Sequence, residues 1–150
     1  MAFQFRLATL LRYRLGREES ERLRLLQLHG RRKSTQEELR QAQERKLKLK
    51  RSLGRRLQQS ATRAIEVQFC LELSAAMEQR VQQLQTCLFQ LEREIAAQMQ
   101  RYREEQRKRE VLESLRELQL NAYRQQQQRR QQAALDEIYL LQRARRTEFA

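Results

Sequence analysis

Along the second half of the chain, one register steps alternately by three and four residues: Val67, Cys70, Ser74, Met77, Val81, Leu84, Leu88, Leu91, Ile95, Gln98 and Tyr102. All but Ser74 and Gln98 are apolar or aromatic. A mean step of about 3.5 residues draws a slowly winding stripe on an α-helix, and such a stripe has to be buried against another helix. The first half carries a leakier stripe through Leu7, Leu11, Arg14, Glu18, Glu21, Leu25, Leu28, Arg32, Thr35, Leu39, Ala42, Lys46, Leu49 and Leu53. Its polar members weaken it. Proline is absent from all 150 residues, so nothing of that kind breaks a long helix. Gly16, Gly30 and Gly54 interrupt the first stripe at up to ~1 kcal/mol each relative to alanine, and are expected at bends or frayed ends.

For the chain to fold back on itself, a break is needed. Gln59-Ser60-Ala61-Thr62-Arg63 is the best site, because Ser60 and Thr62 can cap the next helix. Glu66 stands near that helix start, where negative charge is favoured. The pattern therefore predicts an all-α fold, a long antiparallel two-helix coiled coil. Helix one runs from about 4 to 59, the turn covers about 60–63, and helix two runs from about 63 to 145. The whole of 1–150 is expected to be a single hairpin. The stripe alone does not separate a hairpin from a dimer, because both bury the same residues.

With the turn near residue 61, helix one pairs with helix two as far as about residue 117, and the rest overhangs. Both chain ends then lie at the same end. Tyr123–Gln132 is polar on all sides, as suits a solvent-bridging or partner-ordered helix. Apolar residues return at Leu135, Ile138, Tyr139 and Leu141. A second apolar face, off the stripe, carries Ile65, Phe69, Leu73 and Ala76, with Leu71 nearby. Exposed apolar patches of this kind mark partner contacts, while the alternative is a wider hairpin core or a homo-oligomer.

Composition agrees with long, surface-rich helices. The chain is 39% hydrophobic and 34% charged, with three glycines and no tryptophan, too polar for a thick globular core. Disorder is the competing reading of such a polar chain, and the sustained heptads argue against it. Residues 1–64 hold 18 Lys/Arg against 6 Asp/Glu, whereas residues 65–150 hold 14 against 13. The one-sided positive charge points to an acidic partner surface, nucleic acid or an anionic membrane face, unless it only keeps a helix face solvated.

Enzyme chemistry finds no support. His29 is the only histidine. Cys70 and Cys87 lie roughly 25 Å apart along one helix at 1.5 Å per residue, too far to bridge, and their spacing does not fit zinc. There is no phosphate-binding G-x-x-x-x-G-K-[ST] and no G-x-G-x-x-G. The conspicuous acidic pair, Asp136-Glu137, reads as a surface helix turn. No catalytic residue, cofactor, metal or small-molecule substrate is expected. No apolar run approaches the ~18 residues of a membrane span, and Met1–Leu15 lacks a signal-peptide apolar core, so a cytoplasmic location without membrane insertion is expected. Arg31-Arg32-Lys33 and Arg45–Arg51 could meet phosphates. Interleaved stacking aromatics are missing, so nucleic acid is the less favoured partner.

The two ends carry a resemblance. Phe3-Gln4-Phe5-Arg6-Leu7, followed by Leu11, Arg14 and Glu18-Glu19, resembles the start of the flagellar export protein FliJ family. Tyr123 and then Arg129-Arg130-Gln131-Gln132-Ala133-Ala134-Leu135-Asp136-Glu137 resembles the family's C-terminal pattern. Gln131 stands where Glu is usual and Ala133 where Lys is usual. The injectisome counterpart of the family is a close alternative. The resemblance implies an antiparallel coiled coil similar to the stalk of rotary ATPases. It further implies association with the hexameric flagellar export ATPase, with the cytoplasmic domain of the export-gate membrane protein and with export chaperones. Such a protein regulates the ATPase without hydrolysing ATP, in the cytoplasm and peripherally at the inner face of the membrane. On that reading Arg129, Arg130, Asp136 and Glu137 are candidates for the ATPase contact. Phe69, Leu73 and Ala76, with Arg80 one turn on, are candidates for the export-gate contact. The competing classes are a basic coiled coil on nucleic acid or ribosomes and a homo-oligomeric scaffold.

Overall fold

The computed structural model describes residues 2–59 and 63–149. Two helices account for nearly all of them: α1, Ala8–Gln58, and α2, Ala64–Glu148. They pack as an all-α antiparallel helical hairpin. Gln59 and Arg63 flank residues 60–62 of the expected turn, and the caps proposed for Ser60 and Thr62 lie outside the described residues. The carbonyl of Arg63 accepts from the amides of Glu66 (3.1 Å) and Val67 (3.3 Å) and so opens α2. Glu66 lies in the first turn of α2, while Arg55 and Arg56 close α1 and Arg145 and Arg146 close α2. Each charge has the sign that its helix end favours.

The chain divides into two compact units, Glu19–Arg103 and the pair of segments Met1–Glu18 with Glu104–Ala150. In the 19–103 unit, contacts across the helices join Glu21 to Gln98, Glu38 to Arg80, Lys46 to Glu78 and Arg56 to Cys70. Numbers rise on α1 as they fall on α2, which is the antiparallel register. Leu25, Cys70, Val81, Leu84, Leu91 and Ile95 are buried here, and Val67, Met77, Leu88 and Tyr102 are half-buried. On α1 the contribution is thinner, because from Leu28 to Leu53 the stripe is only half-buried.

In the other unit, Phe5 and Leu11 are buried and Arg14 faces Glu105. Helix α1 begins four residues later than the pattern suggests. Residues 2–5 are not helical, and the amide of Ala8 donates to the carbonyl of Phe5 at 3.1 Å. This has a consequence for reach. A helix advances ~1.5 Å per residue, whereas an extended segment advances ~3.3 Å. Phe3 thus meets Tyr123, ring centroids 5.6 Å apart, several residues past the limit near 117 that helical pairing alone implies. Beyond Tyr123, Gln127 is the only half-buried side chain among the described residues, and the rest are exposed.

The expectation of frayed ends at the three glycines needs correcting. Gly16, Gly30 and Gly54 all lie inside an unbroken α1, none has positive φ, and a methyl group at each would meet nothing within 4 Å. They mark neither a helix end nor a close approach. Gly16→Ala and Gly30→Ala are therefore each expected to raise stability by ~0.5–1 kcal/mol, through the helix-propensity difference alone, measurable by urea unfolding. By contrast, Leu91→Ala removes a buried stripe residue and should cost roughly 2–5 kcal/mol, toward the lower end because so thin a core collapses easily.

Candidate functional faces

No described side chain is fully enclosed, so whatever this chain contacts, it contacts on a face. The first face lies on α2 in the 19–103 unit. Phe69, Leu73, Ala76 and Arg80 follow at steps of four, three and four and therefore share one side of the helix. Phe69 is 64% exposed and Leu73 is 37% exposed, with Ala76 and Arg80 also in solvent. Ile65 and Leu71 add exposed apolar surface close by. Arg80 is not free: its guanidinium meets the Glu38 carboxylate of α1 at 3.3 Å. This pair ties the end of the apolar row to the neighbouring helix.

The second face is the stretch of α2 from Arg124 to Glu148. Arg129, Arg130, Asp136 and Glu137 are all exposed. Gln132 donates to Asp136 Oδ1 at 3.1 Å, one helical turn away. Leu135, Ile138, Tyr139, Leu140 and Leu141 also stand in solvent and give this stretch an apolar component next to the charged one. Among the described residues no cluster of His, Cys, Asp or Glu could hold a metal ion, and no helix is long and apolar enough to cross a membrane.

Inside the seam, the structure brings together residues that the pattern treated only as weaknesses. In the 19–103 unit, Glu21 and Gln98 are both buried. The Gln98 amide donates to the Glu21 carboxylate and also to the Glu21 backbone carbonyl, the latter at 3.1 Å. Arg24 supports the same carboxylate at 3.3 Å. In the other unit, Glu105 is buried among Lys108 (3.5 Å), Arg14 (3.7 Å) and Arg17 (3.8 Å). All three are ion-pair distances longer than a hydrogen bond, and Glu105 Oε2 has no hydrogen-bond donor among the described residues. Arg109 bridges Glu18 and Glu113. Hydrogen bonding to Glu113 raises the Arg109 pKa above its ordinary value against the lowering by burial, and the Glu18 hydrogen bond adds to the raise. The signal for these layers was present: Gln98 occupies a stripe position, as Glu18 and Glu21 do on α1.

Apart from Glu38–Arg80 and Lys46–Glu78, which join the two helices, the remaining ion pairs are exposed and lie within one helix. The Arg22 hydrogen bond holds the Glu19 carboxyl below its ordinary pKa, and the Arg40 hydrogen bond does the same for Glu37. Both pairs lie on a single helix in solvent, where such pairs contribute little to stability. The Glu21–Gln98 layer is different. Gln98→Leu leaves a buried carboxylate without its amide donor and is expected to destabilise by ~1–3 kcal/mol. The double change Glu21→Leu with Gln98→Leu should recover most of that loss. A two-by-two cycle of urea unfolding curves checks both expectations.

Comparison with known proteins bears on the whole chain. The family model described as Flagellar FliJ protein matches residues 3–148. No curated protein matches, and neither does any solved structure.

Proposed function

Since the chain belongs to the FliJ family of flagellar proteins and is thereby a component of flagellar export, we propose that it is a stalk linking the hexameric export ATPase to the export gate and to substrate chaperones. The family is a non-catalytic one. This chain then acts by contact, cytoplasmic and held peripherally at the inner face of the membrane by its partners. The observation that supports this reading most is the division of exposed surface into two chemically different faces, one in each unit. The Phe69–Leu73–Ala76 row is apolar and suits a groove on a partner that reads i, i+4 and i+7 anchors. The Arg124–Glu148 stretch mixes charge with apolar residues and suits a wet contact inside the ATPase ring.

In this assignment Arg129, Arg130, Asp136 and Glu137 meet the ATPase, and Phe69, Leu73, Ala76 and Arg80 meet the cytoplasmic domain of the gate. The regulatory effect on the ATPase follows from contact alone. The exposed side chains make the assignment testable without confounding from the fold, because surface changes usually move stability by no more than about 0.5 kcal/mol.

Two variants separate the faces. Phe69→Ala with Leu73→Ala is expected to lose binding to the purified gate domain and to keep ATPase binding. Asp136→Ala with Glu137→Ala is expected to do the reverse. Both should melt like the parent and reduce swimming motility. Gate binding that survives loss of Phe69 and Leu73 would overturn the gate assignment. A pulldown from cytoplasm that returns only nucleic acid or ribosomal proteins, released by salt, would overturn the stalk reading as a whole.

A further inference from the structure

Some cations of the 19–103 unit are paired with carboxylates and others are not. Arg22, Arg24, Arg40, Lys46 and Arg80 each meet a carboxylate. Arg45, Lys48 and Arg55 are exposed, and among the described residues none of them is in an ion pair. From residue 45 to residue 59 the chain holds seven Lys/Arg and no Asp/Glu, so no acidic neighbour on that stretch of α1 could neutralise them.

Their spacing gives them a direction. Glu38, Arg45, Lys48 and Arg55 follow at steps of seven, three and seven, so they share one side of α1. The Glu38–Arg80 ion pair fixes which side that is. It is the side on which α2 carries Phe69, Leu73, Ala76 and Arg80. Contacts between Lys46 and Glu78 and between Arg56 and Cys70 set Arg55 at the level of Phe69 and Lys48 at the level of Ala76. One surface of the unit thus presents two adjacent rows, apolar on α2 and cationic on α1, joined at one end by the Glu38–Arg80 pair.

We infer that the partner of the Phe69 face is an acidic protein surface, with an apolar cleft for Phe69 and Leu73 and carboxylates opposite Arg45, Lys48 and Arg55. This rests on the gate-contact reading above and adds to it the chemistry of the partner. An apolar centre with a charged rim is the anatomy of a protein interface. Two other polyanions fit less well. A juxtamembrane lipid-binding cluster takes about four to eight cations, and this face offers three. Single-stranded nucleic acid is held by aromatics interleaved with the cations, and residues 45–59 contain no aromatic residue.

The test measures association and dissociation rates of the full-length chain with the purified cytoplasmic domain of the export gate, at low and high salt. The triple variant Arg45→Glu, Lys48→Glu, Arg55→Glu is expected to associate at least about tenfold more slowly at low salt and to lose most of its salt dependence, as steering charges do. Phe69→Ala is expected to dissociate faster at every salt concentration. Lys33→Glu, Lys50→Glu, Arg51→Glu changes the net charge equally on other sides of α1 and should slow association much less. Matching circular dichroism melts verify that the variants fold. Parental binding of the triple variant overturns the inference and leaves the gate contact standing. Equal slowing by both triple variants also overturns it, because net charge alone would then suffice. Failure of the parent to bind the gate domain removes the gate contact and this inference with it. So does a triple-variant defect seen only with vesicles of 30% phosphatidylglycerol or with single-stranded RNA.

Discussion

Two helices in contact can each bury one stripe and no more. That geometric limit governs the rest of this structure. It explains why no described side chain is fully enclosed, why half of the α1 stripe stays partly wet, and why one residue in three is charged. What remains is surface, which makes recognition the natural use of such a chain.

Because its interior is so shallow, the seam tolerates polar residues that a globular core would reject. Glu21 is buried, and its hydrogen bonds with Gln98 and Arg24 offset its desolvation. Glu105 is held by the field of three cations and not by any one hydrogen bond. These layers add little net stability compared with leucines in the same places. The Glu21–Gln98 layer favours this pairing, since the Glu21 carboxylate meets the Gln98 amide only in this register.

The hairpin was legible because its cause is periodic. Val81, Leu84, Leu91 and Ile95 are buried where their spacing puts them. The start of α1 was not legible, because it depends on Phe3 and Phe5 finding α2, a tertiary contact that helix propensity cannot anticipate. The glycines misled for a related reason: packing along the whole of α1 outweighs ~1 kcal/mol at each of three positions. Of the candidate faces, the apolar row on α2 could be read from steps of four and three. The cationic row on α1 could not. Sequence shows which residues are basic, and only the fold shows which of them already have a carboxylate and which side of the hairpin the others share.

The buried Glu21–Gln98 layer has a mechanical side. If α1 slid along α2 by one heptad in one direction, Glu21 would come to rest against Leu91; in the other direction, Gln98 would come to rest against Leu28. Either displacement strands a polar group on a leucine. The layer therefore acts as a detent against slippage of one helix along the other.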